Sequence, residues 1–127
     1  MTVLSRHFLI VASVLLALAS SPARAQDIPL VTGEQWTQSS EAVKKAYLVG
    51  IANVLQVDTA YGGNAAAGDA QSVVPRMAKG LRGGKHTLDS VRIGLDTWYG
   101  ANPGRLQRPV IEVIWFEMVV PGLANTQ

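Results

Sequence analysis

The chain has 127 residues, with 11 basic side chains, 9 acidic ones and no cysteine. The missing thiols exclude thiol catalysis, disulfide exchange and cysteine-based metal sites, and the formal charge of +2, which two arginines of the expected leader account for, is no ground for nucleic-acid or anionic-membrane binding. The length suits one packed domain behind a leader and is too short for two.

Residues 1–25 read as a secretory signal peptide. Arg6 supplies the positive charge and Phe8 to Ala19 the apolar core. Ala23-Arg24-Ala25 is an A-x-A site ahead of Gln26. That core runs about 12 residues against the roughly 20 of a membrane-spanning helix, so cleavage between Ala25 and Gln26 is expected, with no membrane anchor left behind. The layout predicts a periplasmic protein. Arg6 and Arg24 fall in the leader and all nine acids follow Ala25, so residues 26–127 are formally neutral.

Gln26 to Gln38 is expected as an extended lead-in, since Pro29 and Gly33 both oppose helix. A first helix is predicted from about 40 to 60, capped by Ser39 or Ser40 with Glu41 in its first turn. Val43, Tyr47, Gly50, Ile51, Val54 and Tyr61 recur at helical spacing and are expected to form its apolar face. Gly62-Gly63-Asn64 ends it, and the small residues Ala65 to Ala70 read as a mobile connection. Ser72 caps a short second helix, Val73 to Leu81, with Pro75 in the first turn and Gly83-Gly84 closing it.

Thr87 caps a third helix, carried by Leu88, Val91, Leu95 and Trp98 or Tyr99. Gly94 lies inside it, where glycine costs about 1 kcal/mol against alanine and can admit a close neighbour. The segment from Pro109 to Pro121 is rich in β-branched residues, which favours strand. It is nonetheless long for a strand in so small a domain and has no visible partner strand. Its prolines suit a helical first turn and a stop, so a buried fourth helix is predicted. The fold class expected is therefore all-α: a small bundle of about four helices after the signal peptide, residues 26–127 forming a single helical domain. Between the last two helices, Asn102-Pro103-Gly104 turns the chain, so Trp98 to Pro109 reads as a helix joint with aromatic packing.

The order of these features resembles the Rap/Tai-type immunity proteins of type VI secretion, a family of small periplasmic helical domains. The likeness rests on Lys45-Ala46-Tyr47-Leu48-Val49-Gly50, Leu95-Asp96-Thr97-Trp98-Tyr99, Asn102-Pro103 and Arg108-Pro109-Val110, and spans residues 33 to 122. The chain departs from that family in lacking the cysteines that commonly staple its helices. The resemblance implies a helical fold and inhibition of a cell-wall-degrading effector by protein contact. None of the matched residues is catalytic.

Candidate chemistry is sparse. His86 is the one histidine after the leader, too few for a zinc site, and it reads as a solvated loop residue. Glu112 and Glu117 are separated by about 500° of helical turn, roughly 140° apart, so they are not expected to converge as a glycosidase pair would. At least one is expected to meet solvent or a cation. Arg76, Lys79, Arg82, Lys85 and Arg92 make a basic segment, with Asp89 its sole acid and Gly80, Gly83 and Gly84 leaving the neighbourhood open. The first four are the candidate partner surface; the bland alternative is a solvated polar face. The glycines match no phosphate-binding loop and no aromatic interleaving points to single-stranded nucleic acid. The expected function is thus an exported helical protein acting by protein–protein interaction, not an enzyme, with neither cofactor nor metal. The alternative is a periplasmic small-ligand or chaperone-like module with an apolar helical core.

Overall fold

The computed structural model describes residues 28–62 and 72–126. The leader and the small-residue segment 65–70 lie outside the described residues. The fold is all-α, as expected. Its helices are α1 (Gly33–Gln38), α2 (Glu41–Tyr61), α3 (Val73–Gly83), α4 (Leu88–Ala101) and a last helix, α5, in three continuous pieces. Those pieces are α-helical Val110–Ile114, π-helical Trp115–Val119 and α-helical Val120–Ala124.

Helix α1 corrects the expected extended lead-in. Thr32 and Gln35 form a reciprocal capping box: the Gln35 N–H donates to Thr32 Oγ1 at 3.3 Å, and the Thr32 N–H donates to Gln35 Oε1 at 3.0 Å. Gly33, which argued against helix, is there because the Tyr99 ring occupies the space a Cβ would need. The start of α1 is then tied to the joint before α5. The Gly33 and Glu34 N–H groups donate to the Arg108 and Leu106 carbonyls, and the Val110 N–H donates to the Val31 carbonyl.

Helix α2 buries only part of the expected face: Tyr47 and Ile51 pack against the core, and the inward side is rotated from there towards Lys44, Leu48 and Leu55. Lys44 and Leu48 are buried, with Ile51 and Leu55 packed against the core. Val43, Val54, Val57 and Tyr61 face out, Tyr61 with 82 % of its surface exposed. Lys44 is tolerated inside because its ammonium meets Asp96 at 2.8 Å.

Helix α3 and the end of α5 meet along glycine. A Cβ on Gly80 would stand 2.5 Å from the Val119 carbonyl oxygen, and one on Gly122 would strike the Gly80 carbonyl. The glycines expected to leave this neighbourhood open are instead its packing seam. Pro121, expected as a stop, lies inside α5. Its ring nitrogen has no proton, and the widened turn just before it absorbs the interruption: the Val120 N–H reaches back to the Trp115 carbonyl. Helix α4 is capped by Thr87, whose hydroxyl accepts from the Ser90 N–H at 3.1 Å. It buries Val91, Leu95 and Tyr99 against Val110, Val113, Ile114 and Val119 of α5, and the end of the Met118 side chain rests on Gly94.

Candidate interaction surface

Along α3, the sequence puts apolar and small residues on one side and cations on the other. Met77, Ala78 and Gly80 are buried, while Lys79 and Arg82 are exposed and no acid occurs in the helix. Arg76 lies between the two, its guanidinium 5.1 Å from the centre of the Trp115 ring. Lys85 follows in the turn after the helix, at φ 55°. Among the described residues, none of these four cations pairs with a carboxylate. The candidate partner residues therefore stand together on one element and the turn that closes it.

Arg92, the fifth member of the basic segment, belongs elsewhere. It pairs with Glu41 at 2.8 Å, Asp89 at 3.3 Å and Asp96 at 3.3 Å. Asp96 is the hub of this network. Its Oδ1 accepts from the Trp36 indole N–H and from the Lys44 ammonium, each at 2.8 Å, so one carboxylate joins α1, α2 and α4. Lys44 also lies 5.5 Å from the Trp36 ring centre. Sequence reasoning missed this hub. The available signal was an acid at mid-helix, one residue after a leucine that must face the core.

The joint between α4 and α5 is built around Arg108. Its guanidinium lies 5.0 Å from the Trp98 ring centre and 5.4 Å from that of Phe116. The Tyr99 hydroxyl donates to the Arg108 carbonyl at 2.8 Å, and burial pushes the Tyr99 phenol up to about 12. The Asn102 side chain donates to the Trp98 carbonyl at 2.8 Å, closing α4. Packing and turn formation account for this stretch, as expected. Glu112 and Glu117 do converge, correcting the straight-helix geometry: both approach the Arg108 guanidinium, at 3.9 and 3.2 Å. The π segment brings positions five apart closer to one face. They serve one guanidinium, in an ion-pair role.

His86 is a half-buried residue packed over Gly84, which corrects its reading as solvated. It stands where two hollows meet. The outer one, about 430 Å³, lies between α2 and α3 and is lined by residues including Leu55, Gln56, Thr59, Leu81 and Arg82. The inner one, about 170 Å³, reaches Val91 and Ile114. Among the described residues, no cluster of three or more histidine or acidic side chains is placed to hold a metal ion, and no helix is long and apolar enough to cross a membrane.

Compared with models of protein families, with curated proteins and with solved structures, the chain gives no match.

Proposed function

We propose that the protein is exported through a cleaved leader to the periplasm and acts there by binding another protein, as an immunity protein does when it covers the cleft of a cell-wall-degrading effector. In this reading it runs no reaction of its own. The observation that supports it best is the outer side of α3. Arg76, Lys79 and Arg82 project from a helix without acids, and Lys85 extends the charge into the next turn. These cations neither neutralise a described carboxylate nor surround a described metal cluster. An acidic protein surface is the complementary partner, because charge of one sign on a rigid element speeds encounter and fixes register. The helix is rigid for a physical reason: its glycines are in backbone contact with α5, so the cations move as a unit.

The test is protection. Cells expressing a periplasm-targeted cell-wall hydrolase encoded beside this gene are scored for growth with and without the protein. Protection is expected, and the triple variant Arg76→Glu, Lys79→Glu, Arg82→Glu is expected to lose it while keeping the parent's circular dichroism. Retained protection by the charge-reversed chain would sink the α3 surface. Absence of protection against every such hydrolase would sink the immunity-like role.

A further inference from the structure

We propose that the cleft between α2 and α3 binds a free fatty acid of medium chain length, its tail running past His86 towards Ile114 and its carboxylate held by Arg82. Three observations on different elements carry this. The first is adjacency: the outer and inner hollows share Ala52, Leu55, Leu81 and His86, so they lie side by side along α2. The inner hollow is walled on its core side by Leu48, Ile51, Val91 and Ile114, which favour an apolar group, and on its outer side by Thr87 and Leu88. The outer hollow alone falls within the size range of small-molecule sites, and such sites are mostly apolar with a few placed polar groups.

The second observation is the chemistry of the mouth. Gln56 and Thr59 of α2 face Arg82 of α3 across it, and among the described residues no carboxylate lines either hollow. A guanidinium beside an apolar slot selects an anionic head over a cationic or neutral one, and its planar fork suits a carboxylate. The third is the way the throat is built. Lys85 holds the left-handed backbone conformation that side chains avoid, and this turn carries the chain back from α3 so that the His86 N–H donates to the Leu81 carbonyl at 2.9 Å. Gly84 then leaves room for the imidazole: a Cβ there would stand 2.5 Å from His86 Cδ2. This turn closes α3 with the usual pair of backbone bonds, Lys85 N–H to the Arg82 carbonyl and His86 N–H to the Leu81 carbonyl, and it sets the imidazole where the two hollows adjoin.

This inference goes beyond the protein-partner reading and is tested on the purified protein alone, so either can fail without the other. The protein is titrated with sodium decanoate, decanol, decyltrimethylammonium and acetate below their aggregation limits, and methyl and imidazole NMR signals are followed. Decanoate is expected to shift Leu55, Leu81, Ile114 and His86 saturably, more tightly than decanol, with acetate and the ammonium amphiphile inert. Arg82→Gln, at an exposed position that does not endanger folding, is expected to weaken decanoate about tenfold and leave decanol unchanged. Ala52→Leu narrows the shared junction and should weaken both. The site is overturned if decanoate produces no saturable shift at millimolar concentration, or shifts residues away from the cleft. The carboxylate clamp is overturned if decanol binds as well as decanoate, or if Arg82→Gln binds decanoate like the parent.

Discussion

Replacing Gly122 by alanine should destabilise the protein by about 2 kcal/mol, although the same change at an exposed helical glycine stabilises. Two effects compete. Alanine is favoured over glycine in a helix by about 1 kcal/mol. Against this, a Cβ at Gly122 would strike the Gly80 carbonyl oxygen, and it would stand 2.8 Å from the Gly80 carbonyl carbon and 2.9 Å from the Gly84 nitrogen. All three obstructing atoms are backbone, so no side chain can swing aside, and α3 must move away from α5. Overpacking of this kind costs about 1–3 kcal/mol and sometimes more. The upper end applies here, because the shift also disturbs the neighbouring Gly80–Val119 and Gly83–Gly122 contacts. A net loss of about 2 kcal/mol corresponds to a fall in Tm of roughly 8–16 °C for a domain of this size. Gly50→Ala is the internal control: it lies in α2 with nothing within 4 Å of its Cβ, and should gain about 0.5–1 kcal/mol. Urea and thermal unfolding followed by circular dichroism measure both. Equal or greater stability of Gly122→Ala would refute the backbone contact between α3 and α5.

The remaining expectations concern the Asp96 hub, the Lys85 turn and the buried tyrosine. Asp96→Asn leaves the Lys44 ammonium without its counter-charge and should cost about 1–3 kcal/mol in urea unfolding, the partial exposure of Asp96 keeping it below a fully buried pair. A loss under about 0.5 kcal/mol would mean that the hub does not join the three helices energetically. Lys85→Gly should stabilise by about 1 kcal/mol, because glycine accepts the left-handed conformation that lysine holds under strain; a loss of stability would contradict the strain. Tyr99 is neutral in the fold with its phenol pushed up to about 12, whereas an unfolded tyrosine ionises near its ordinary value of 10.0. The sign follows: its contribution is complete below pH 10 and is lost as pH rises from 10 towards 12. Tyr99→Phe should therefore flatten the fall in stability over that window relative to the parent, and parallel pH curves would refute the burial argument.

How far the fold was legible depended on what each residue type reveals on its own. The caps at Ser40 and Thr87 and the turn at Asn102-Pro103 act within a few residues, so their chemistry is local and their elements begin and end near where they were expected. The inward face of α2 was legible in part: Tyr47 and Ile51 follow from their spacing, whereas the burial of Lys44 depends on Asp96, more than fifty residues away. A lysine on an apolar stripe argues against burial until its partner is known. Gly33 failed for a similar reason. Glycine opposes helix locally, and only the Tyr99 ring pressed against it explains its presence. Pro121 stopped the expected helix because proline ordinarily does so, and the π turn that accommodates it has no separate sequence signal. In the candidate surface, the cations of α3 were visible as a cluster. The division of labour within the basic segment was not, since Arg92 is drawn away by three acids on two helices.

The α3 cations can be weighed as a stability feature before any partner is invoked. Arg76 and Lys79, and Lys79 and Arg82, are like-charge pairs three residues apart, each unfavourable by about 0.2–0.5 kcal/mol. Arg82 in the last turn of the helix gains about 0.3–1 kcal/mol from the helix dipole. Arg76 over Trp115 gains about 0.5–1 kcal/mol at a partly exposed site. The gains exceed the repulsions by about 0.7 kcal/mol at their midpoints, so the ridge adds little to the fold and the fold does not depend on it. Replacing Arg76, Lys79 and Arg82 by glutamine should accordingly leave stability within about 1 kcal/mol of the parent. A loss of protection in that variant would then belong to the surface, because the scaffold beneath it is held by glycine contacts and by Asp96, which the substitutions do not touch. Unfolding of the triple variant under the parent's conditions would mean that the cations serve the fold after all.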